Sequence, residues 1–243
     1  MSLELHHLHL SQSERIVWLL EELRIQYDLH VYERDPQTAM APAELKSLNP
    51  FGTAPYFQDT TVSPPVKLSE SGAIVEYLLA VYGQSSPAGA MLVRKPGDQD
   101  YGPYLQWLHF ANASLQPSLS LNMVFSLAGA SKENPIISTF RSRTSRALQK
   151  LDDRLKTTKY LAGEELSAAD IMTVFSLTTH RGFTGEVDLD PFKNILRYLK
   201  DVAERPAYKR AISKGDHDME PLIGAKVKKF TQFAVFAKTE PEH

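Results

Sequence analysis

The sequence predicts a small α/β domain followed by an all-helical domain. Short strand and helix patterns alternate through the first eighty residues, whereas only helical patterns occur from the linker to residue 220. A stretch rich in Gly, Ser, Pro and Ala separates the two regions. The 243 residues are enough for two compact units. We therefore expect an α/β domain at 1–83, a linker at 84–95, a helical domain at 96–220 and a tail at 221–243.

The N-terminal elements follow the order β-α-β, a linking helix, and then β-β-α. Alternating residues predict a strand over Leu3–Leu10, and apolar residues at steps of three and four predict a helix from about Ser13 to Arg24. The remaining elements are a strand at Tyr27–Tyr32, a short helix at Pro42–Leu48, strands at Tyr56–Phe57 and Val66–Leu68, and a helix that begins at Ser69. Two βα-type modules on one sheet predict a four-stranded mixed sheet with helices on its faces.

The helical region begins with a long helix from Tyr101 to about Ala128, which we expect to bend near Pro117. Further helices are predicted at Ile136–Leu155, Ala168–Thr179, Phe192–Glu204 and Ala207–Ser213. Ser167 and Asp170 have the spacing of a capping box, with Leu166 and Ile171 at the positions of a hydrophobic staple. Asp170 is therefore predicted to be structural.

Composition excludes several classes of protein. Lys and Arg number 27 against 29 Asp and Glu, so the net charge of −2 supplies no footprint for nucleic acid. No apolar run approaches the roughly 18 to 20 residues of a membrane span. The first ten residues carry three histidines and a glutamate, which is unlike a secretory signal. We expect a cytoplasmic protein.

The chain contains no cysteine, which excludes disulfides, zinc–thiolate sites and a protein thiol as nucleophile. Any sulfur chemistry must use a sulfur that arrives with a ligand. The early histidines do not predict a metal site, because a strand places His7 and His9 on one face and His6 on the other. We predict no metal.

Polar residues at three chain junctions are candidates for ligand binding. Ser11, Gln12 and Ser13 stand at a strand-to-helix junction, where a hydroxyl can bind an anion beside free N–H groups or can simply cap the helix. Ala54-Pro55 leads into a strand; a cis bond there would present the Ala54 backbone as an open edge for an extended peptide. Ser69-Glu70-Ser71-Gly72 begins a helix and can either cap it or bind a carboxylate and an amine.

Together these segments resemble the glutathione S-transferase superfamily, and most of all its fungal and bacterial serine-type branch. The matching stretches cover roughly residues 3 to 215. They are SQSERIVWLLEEL (Ser11–Leu23), APAEL…NPFGTAPYF (Ala41–Phe57), SESGAI (Ser69–Ile74), WLHFANASLQP (Trp107–Pro117) and YLAGEELSAADI (Tyr160–Ile171). The resemblance implies a thioredoxin-like N-terminal domain that binds glutathione and a helical domain that supplies most of the site for an electrophile.

The resemblance also implies roles for individual residues. Ser11 stands for the hydroxyl beside the glutathione sulfur, and Ser13 is an alternative because the alignment there is uncertain by a residue or two. Ala54, before a cis Pro55, pairs with the cysteinyl backbone. Glu70 and Ser71 hold the γ-glutamyl end, and Gln12 and Thr53 complete the glutathione site.

Thr53 departs from the family pattern, which commonly has Lys or Arg at that position to contact the glycyl carboxylate. Lys46 is a candidate to supply the missing charge.

The second substrate is expected against the first long helix, where Tyr104, Leu108 and Asn112 share one face; core packing is the alternative for Leu108. The tail carries Phe230, Phe233 and Phe236 and either covers this pocket or docks elsewhere.

Three functions follow from these observations. The first is a glutathione transferase that attacks a small hydrophobic electrophile. The second is a glutathione-dependent cis–trans isomerase that adds the same thiolate reversibly to a conjugated olefin or polyene. The third is a non-catalytic interaction module on the same fold. Family analogy and the frequency of two-fold pairs predict a homodimer.

Overall fold

The computed structural model describes residues 1–49, 51–217 and 219–237, and it has the predicted architecture. The N-terminal elements are β1 (Leu3–Leu8), α1 (Glu14–Leu23), β2 (Asp28–Tyr32), α2 (Ala43–Leu48), β3 (Tyr56–Asp59), β4 (Val66–Leu68) and α3 (Ser71–Val81). The sheet order is β2-β1-β3-β4, with β1 parallel to β2 and antiparallel to β3, which is itself antiparallel to β4. The prediction of a mixed four-stranded, thioredoxin-like sheet is confirmed.

β1 is the central strand and is covered on both faces. Leu5 belongs to the main core with α1 and α3, whereas Leu8, from the opposite face, packs against Leu45 of α2 and against Ala54. The alternation of Leu3, Leu5 and His7 therefore directs His7 toward the inside of the molecule, where it is fully buried.

The rest of the chain is helical: no strand follows β4 among the described residues. The helices are α4 (Pro87–Leu92), α5 (Tyr101–Phe110), α6 (Gln116–Leu127), α7 (Pro135–Thr157), α8 (Ala168–Leu177), α9 (Lys193–Ala203), α10 (Pro206–Gly215) and α11 (Ala234–Ala237). A 3₁₀ turn at Gly83–Ser85 and α4 occupy the segment predicted as a linker. Pro87 at the first turn of α4 explains the helix, because its missing N–H has no helical partner there.

The predicted long helix is interrupted rather than simply bent. α5 and α6 are joined by a π-helical turn at Ala111–Leu115. Pro117, at the start of α6, has no N–H to donate, so the hydrogen-bond pattern changes on its N-terminal side.

Asp170 is structural, as predicted. Its carboxylate accepts hydrogen bonds from the backbone N–H of Ser167 (2.9 Å) and Leu161 (2.9 Å) and from the hydroxyl of Tyr198 (3.1 Å). It is fully buried. One side chain thus joins the start of α8 to the loop before it and to α9.

α1 connects the sheet to the helical domain. Every residue of α1 except Glu22 is buried, and the helix contacts β1, α3, α8 and α10. Glu14 accepts hydrogen bonds from the hydroxyls of Thr179 (2.6 Å) and Tyr208 (3.2 Å), both in the helical domain. Burial, together with the nearby charge of Asp216, raises the pKa of Glu14 to about 7.

The tail docks on the molecule over its described length. Phe230, Phe233 and Phe236 are buried in one cluster with Phe183 and Leu10. Its backbone is held at both ends, by Phe230 N–H to the carbonyl of Gly182 (2.7 Å) and Ala234 N–H to that of Pro36 (2.9 Å). A Cβ at Gly182 would overlap the Phe230 ring, so only glycine allows this approach. The last residues of the predicted tail, 238–243, lie outside the described residues.

Within the described residues, the helices are too short or too polar to cross a bilayer.

Replacing Asp170 with alanine is expected to lower the free energy of unfolding by about 3 kcal/mol, because four buried donors lose their acceptor: the N–H groups of Leu161 and Ser167 and the hydroxyls of Ser167 and Tyr198. Urea denaturation measures this change. Asp153→Ala, an exposed carboxylate on α7, is the control and should change stability by less than about 0.5 kcal/mol. An equal loss in the two variants would contradict the structural role of Asp170.

Glu14 gives the protein a specific dependence of stability on pH. Its folded-state pKa of about 7 lies above its ordinary value of 4.5. The stability that it contributes is therefore fully present below pH 4.5 and is lost as the pH rises through 7, by about 3 kcal/mol in all. Glu14→Gln should remove that loss from unfolding free energies measured between pH 4.5 and 8. Glu204→Gln is the control, because Lys209 holds the pKa of that exposed carboxyl below its ordinary value. A difference between the wild-type and Glu14→Gln curves that stays constant from pH 4.5 to 8 would refute the assignment.

Candidate active site

The junction between β1 and α1 brings Ser11 and Ser13 into contact. Their Oγ atoms are 2.6 Å apart, and Ser13 Oγ is 2.9 Å from Nδ1 of His7. Ser13 Oγ also accepts the backbone N–H of Leu8 at 3.3 Å. Ser13 stands at the N-cap position of α1 but makes no capping hydrogen bond. The capping interpretation of Ser13 is therefore wrong, because its hydroxyl is turned toward β1.

A buried carboxylate lies behind these hydroxyls. Oδ1 of Asp216, just after α10, is 3.5 Å from Nε2 of His7 and accepts the backbone N–H of Leu10 at 2.7 Å. Burial alone would raise the pKa of Asp216, but the hydrogen bond and charge of His7, the Leu10 N–H and the charge of His9 hold that pKa below its usual value. The sequence did not indicate His7 or Asp216, because they are about two hundred residues apart.

A cavity of about 500 Å³ opens in front of Ser11. Its walls come from both domains and from the tail. The α/β domain contributes Leu8, Leu10, Ser11, Gln12, Arg34, Thr38, Ala39, Met40, Ala41, Gly52, Thr53 and Ala54, and the rest contributes Gln116, Met123, Leu127, Phe175, His180, Phe183, Val235 and Phe236. The cavity thus joins a polar edge beside Ser11 and Gln12 to an apolar wall.

The edge of the cavity opposite Ser11 is formed by the turn before β3. The Ala54–Pro55 peptide bond is cis. Buried Asn49 holds the turn, donating from Nδ2 to the carbonyl of Thr53 (2.5 Å) and accepting the N–H of Phe51 (3.0 Å). Pro50, part of the predicted turn, lies outside the described residues.

Ser71 and Glu70 occupy the start of α3. Glu70 is exposed at the N-cap position and Ser71 is buried. Ser71 Oγ accepts a hydrogen bond from Nη1 of Arg15 at 3.1 Å, and the same nitrogen donates to Oδ1 of Asn112 at 2.7 Å and to Oε1 of Gln12 at 3.1 Å. Predicted residues from α1, α3 and the α5–α6 region therefore meet around one guanidinium.

Arg15 is the residue of this cluster that sequence analysis missed. Its other amino nitrogen, Nη2, donates to Gln116 (2.6 Å) and Ser176 (3.3 Å). All of these acceptors are neutral oxygens. Burial lowers the pKa of Arg15 to about 9, so the side chain stays charged near pH 7. The available signal was the place of Arg15 in the first turn of α1, directly after the candidate residues Ser11, Gln12 and Ser13.

Tyr104 and Leu108 do not line the cavity beside Ser11. They line a different cavity of about 520 Å³ between α3, α4 and α5, and both are buried in the main core. Asn112 lies at Arg15 instead. The three residues share a helical face in sequence, but the π-helical turn separates Asn112 from the other two. The apolar wall of the Ser11 cavity comes from α6, α8 and the tail.

His180 also lines the cavity in front of Ser11. Burial, with the charge of Arg15, lowers the pKa of His180 to about 4, so its ring is neutral near pH 7. Its Nε2 lies 3.1 Å from Ser120 Oγ. Arg34, also at the cavity, donates to the carbonyls of His9, Ala39 and Leu10, and so fixes the loop that carries Leu10.

One group of side chains has the composition of a metal site. Glu4, His6 and His30 place their ligand atoms within 4.8 Å of one another. His30 comes from a different strand, and β2 places it directly beside His6, so the pattern along β1 alone does not indicate this group. In the structure the two rings stack with centroids 4.7 Å apart, and His6 Nδ1 is 2.9 Å from the Tyr32 hydroxyl. These contacts give His6 a structural role in the sheet.

Comparison with known proteins identifies the family. The glutathione S-transferase N-terminal domain matches residues 11–81, and the C-terminal domain of that family matches residues 120–206. Glutathione S-transferase 3 of Schizosaccharomyces pombe is 35% identical over 226 residues, covering 86% of each chain.

Solved structures agree with these matches. A glutathione S-transferase from Actinobacillus pleuropneumoniae is 29% identical with a TM-score of 0.76, covering 88% of this chain and 93% of the other. A glutathione transferase from Burkholderia graminis with two glutathione molecules bound per subunit is 27% identical, with a TM-score of 0.70 and coverage of 87% and 88%. With the fold, the order of motifs and these relatives in agreement, the chain belongs to the glutathione S-transferase family.

Proposed function

We propose that this protein joins the thiol of glutathione to a small hydrophobic electrophile and that the Ser11 hydroxyl lies beside the reacting sulfur. The observation that carries the proposal is the position of Ser11, at the polar edge of a largely apolar cavity that both domains enclose. Ala54 forms the facing edge. Relatives whose structures hold glutathione have the same fold.

The cysteinyl and glycyl parts of the tripeptide have candidate partners along this cavity, and the γ-glutamyl part has candidates that Arg15 joins to Gln12 at the cavity edge. The cysteinyl backbone would pair with Ala54, as an extended peptide adds to a sheet edge. The γ-glutamyl end would reach Ser71 and Glu70, where the positive charge of Arg15 favours a carboxylate and the exposed Glu70 favours an amine. Gln12 lies between these two positions.

The glycyl carboxylate would lie toward Thr53, which is exposed at the cavity edge. Lys46 supports binding there, since its Cγ lies 3.3 Å from the position that a Cβ on Gly52 would occupy. A lysine in this neighbourhood replaces the cation that Thr53 does not provide.

The chemical task of the site is to keep the thiol ionised. A free thiol has a pKa near 8.5, so only a few per cent is thiolate at neutral pH. A hydrogen bond to a charged group contributes about 1.5–3 kcal/mol, and one pKa unit corresponds to about 1.4 kcal/mol. Ser11 and the start of α1 can therefore lower the thiol pKa by about one to two units.

The electrophile would bind against the apolar wall of the cavity. Met123 and Leu127 come from α6, Phe175 from α8, and Phe183 and Phe236 close the far side. The tail thus contributes to the proposed electrophile site. We keep Tyr104 and Leu108 only as residues that support α5, because their cavity is a different one.

The same thiolate supports isomerisation of a conjugated olefin, because reversible addition and loss of the thiolate allow rotation about the bond. The apolar wall accepts either kind of substrate.

We also propose that the protein is a cytoplasmic homodimer, by analogy with the family. Light scattering measures its mass in solution.

Ser11→Ala is expected to raise the pKa of the bound glutathione thiol by about one to two units and to reduce kcat/KM about 10- to 100-fold below that pKa. Ultraviolet absorbance of the thiolate and pH–rate profiles measure the two effects. Ser118→Ala removes a buried hydroxyl that bonds only to the Leu115 carbonyl and is the matched control. An unchanged pH profile in Ser11→Ala would remove Ser11 from this role.

Mass spectrometry separates the reactions. Incubation with glutathione and a panel of enones and polyenes should give an adduct heavier than the substrate by one glutathione. A product of unchanged mass would show the isomerase instead. If glutathione at millimolar concentration neither reacts nor raises the melting temperature, the result favours the interaction module, since a bound ligand must stabilise the native state.

A further inference from the structure

A continuous chain of polar side chains runs inward from the cavity wall. It passes from Ser11 Oγ to Ser13 Oγ (2.6 Å), from Ser13 Oγ to His7 Nδ1 (2.9 Å), and from His7 Nε2 to Asp216 Oδ1 (3.5 Å). The last three side chains are at most 1% exposed. The function proposed above uses only the outermost member.

Asp216 determines the protonation of the His7 ring. Oδ1 of Asp216 accepts the Leu10 N–H at 2.7 Å, which favours the ionised carboxylate also beside a neutral His7. A bare ring nitrogen facing that carboxylate would be repelled, so Nε2 of His7 carries a proton. In the neutral ring Nδ1 is then an acceptor, and it faces the Ser13 hydroxyl.

This arrangement sets the direction of both hydroxyls. Ser13 donates to His7 Nδ1, and its oxygen accepts from Ser11 as well as from the Leu8 N–H. The proton of Ser11 therefore points inward. Its oxygen accepts the backbone N–H of Ser13 at 3.3 Å, which leaves one lone pair for the cavity. Ser11 is then oriented to accept a proton from a thiol, not to donate to a thiolate.

We propose that His7 takes up the proton of the bound thiol through Ser11 and Ser13. The inference rests on the proposed function, since it concerns the same thiol. The S–H bond breaks and its proton forms an O–H bond at Ser11. The former proton of Ser11 moves to Ser13, and that of Ser13 moves to Nδ1 of His7. A thiol and an imidazole become a thiolate and an imidazolium, with no atom lost to solvent.

The transfer also reverses the direction of the hydrogen bonds along the chain. The imidazolium now donates from Nδ1 to Ser13, which donates to Ser11, which donates to the thiolate, while Nε2 still faces Asp216. The thiolate is thus hydrogen-bonded to Ser11, and the imidazolium is hydrogen-bonded to Ser13 and faces the Asp216 carboxylate 3.5 Å away. His7 is a positioning residue in the sense that it acts only through the two serines.

Several charged groups lie near these four side chains. Asp216 faces His7 directly, His9 also lies 3.5 Å from Asp216, and Glu14 and Arg34 act on Asp216 electrostatically. Gly215 packs against the ring, since a Cβ there would be 3.0 Å from Nε2. His7 is closed to solvent, so the serines are its route to the cavity.

The test compares protons released with thiolate formed when glutathione binds. Calorimetry in buffers of different ionisation enthalpy gives the number of protons released for each glutathione bound. Ultraviolet absorbance gives the amount of thiolate formed. The measurements are made at pH 7.5, between the ordinary pKa values of about 6.5 for imidazole and about 8.5 for a thiol. The wild-type protein should release far fewer than one proton for each thiolate formed, because the thiol proton stays bound to His7.

Variants identify the acceptor. His7→Asn retains a polar group near Ser13 but cannot hold the proton. The ratio of protons released to thiolate formed should therefore rise to one, and the ratio of thiolate to thiol should fall about tenfold, which is one unit of thiol pKa. His6→Asn, the neighbouring buried histidine on the opposite face of β1, should leave both values unchanged. If His7→Asn does not fold, Ser13→Ala interrupts the same chain and should give the same two changes.

The outcomes distinguish the two proposals. Wild-type protein that binds glutathione as thiolate but releases one proton for each would overturn the relay alone. Equal ratios in the wild-type protein and in His7→Asn or Ser13→Ala would do the same. Wild-type protein that binds no glutathione and forms no thiolate would instead overturn the proposed function.

Discussion

The contact between Asp216 and the β1–α1 junction is the constraint on which the site depends. Its carboxylate holds the Leu10 N–H at 2.7 Å and faces His7 at 3.5 Å, so a residue at the end of the helical domain fixes a loop of the α/β domain. Leu10 itself has the left-handed backbone conformation (φ 57°), which bends the chain before Ser11. The bend and the carboxylate together hold the serines at the cavity wall.

The interface between the domains is unusually charged for a buried surface. Glu14 and Arg15 are adjacent on α1 and point into helical-domain neighbours, where burial shifts the pKa of each toward its neutral form. Around them, hydroxyls and amides supply the hydrogen bonds that buried charges require. At the edge of the same interface Arg205 forms two hydrogen bonds with the Glu22 carboxylate. This arrangement joins the domains while leaving a positive charge beside Ser71.

The cavity owes its two-sided character to the same packing. Its polar edge is made by the first domain, at Ser11 and Gln12, and its apolar wall by α6, α8 and the tail. The tail reaches this wall because Arg181 holds its first residues, donating to the carbonyls of Leu222, Gly224 and Ala225. Arg181 therefore anchors part of the proposed substrate wall.

The sequence by itself determined the elements, the sheet and the order of the glutathione-site motifs, because periodicity, turn residues and caps act over a few neighbouring residues. Asp170 shows this well: its role follows from Ser167, three residues away. The tertiary structure decided the rest. It turned Ser13 away from the helix that it precedes, placed Arg15 at Ser71, and moved Tyr104 and Leu108 to another cavity. Each of these outcomes depends on partners that are distant in the chain, such as Asp216 for His7, and no local pattern encodes which distant side chains will meet once the core has closed.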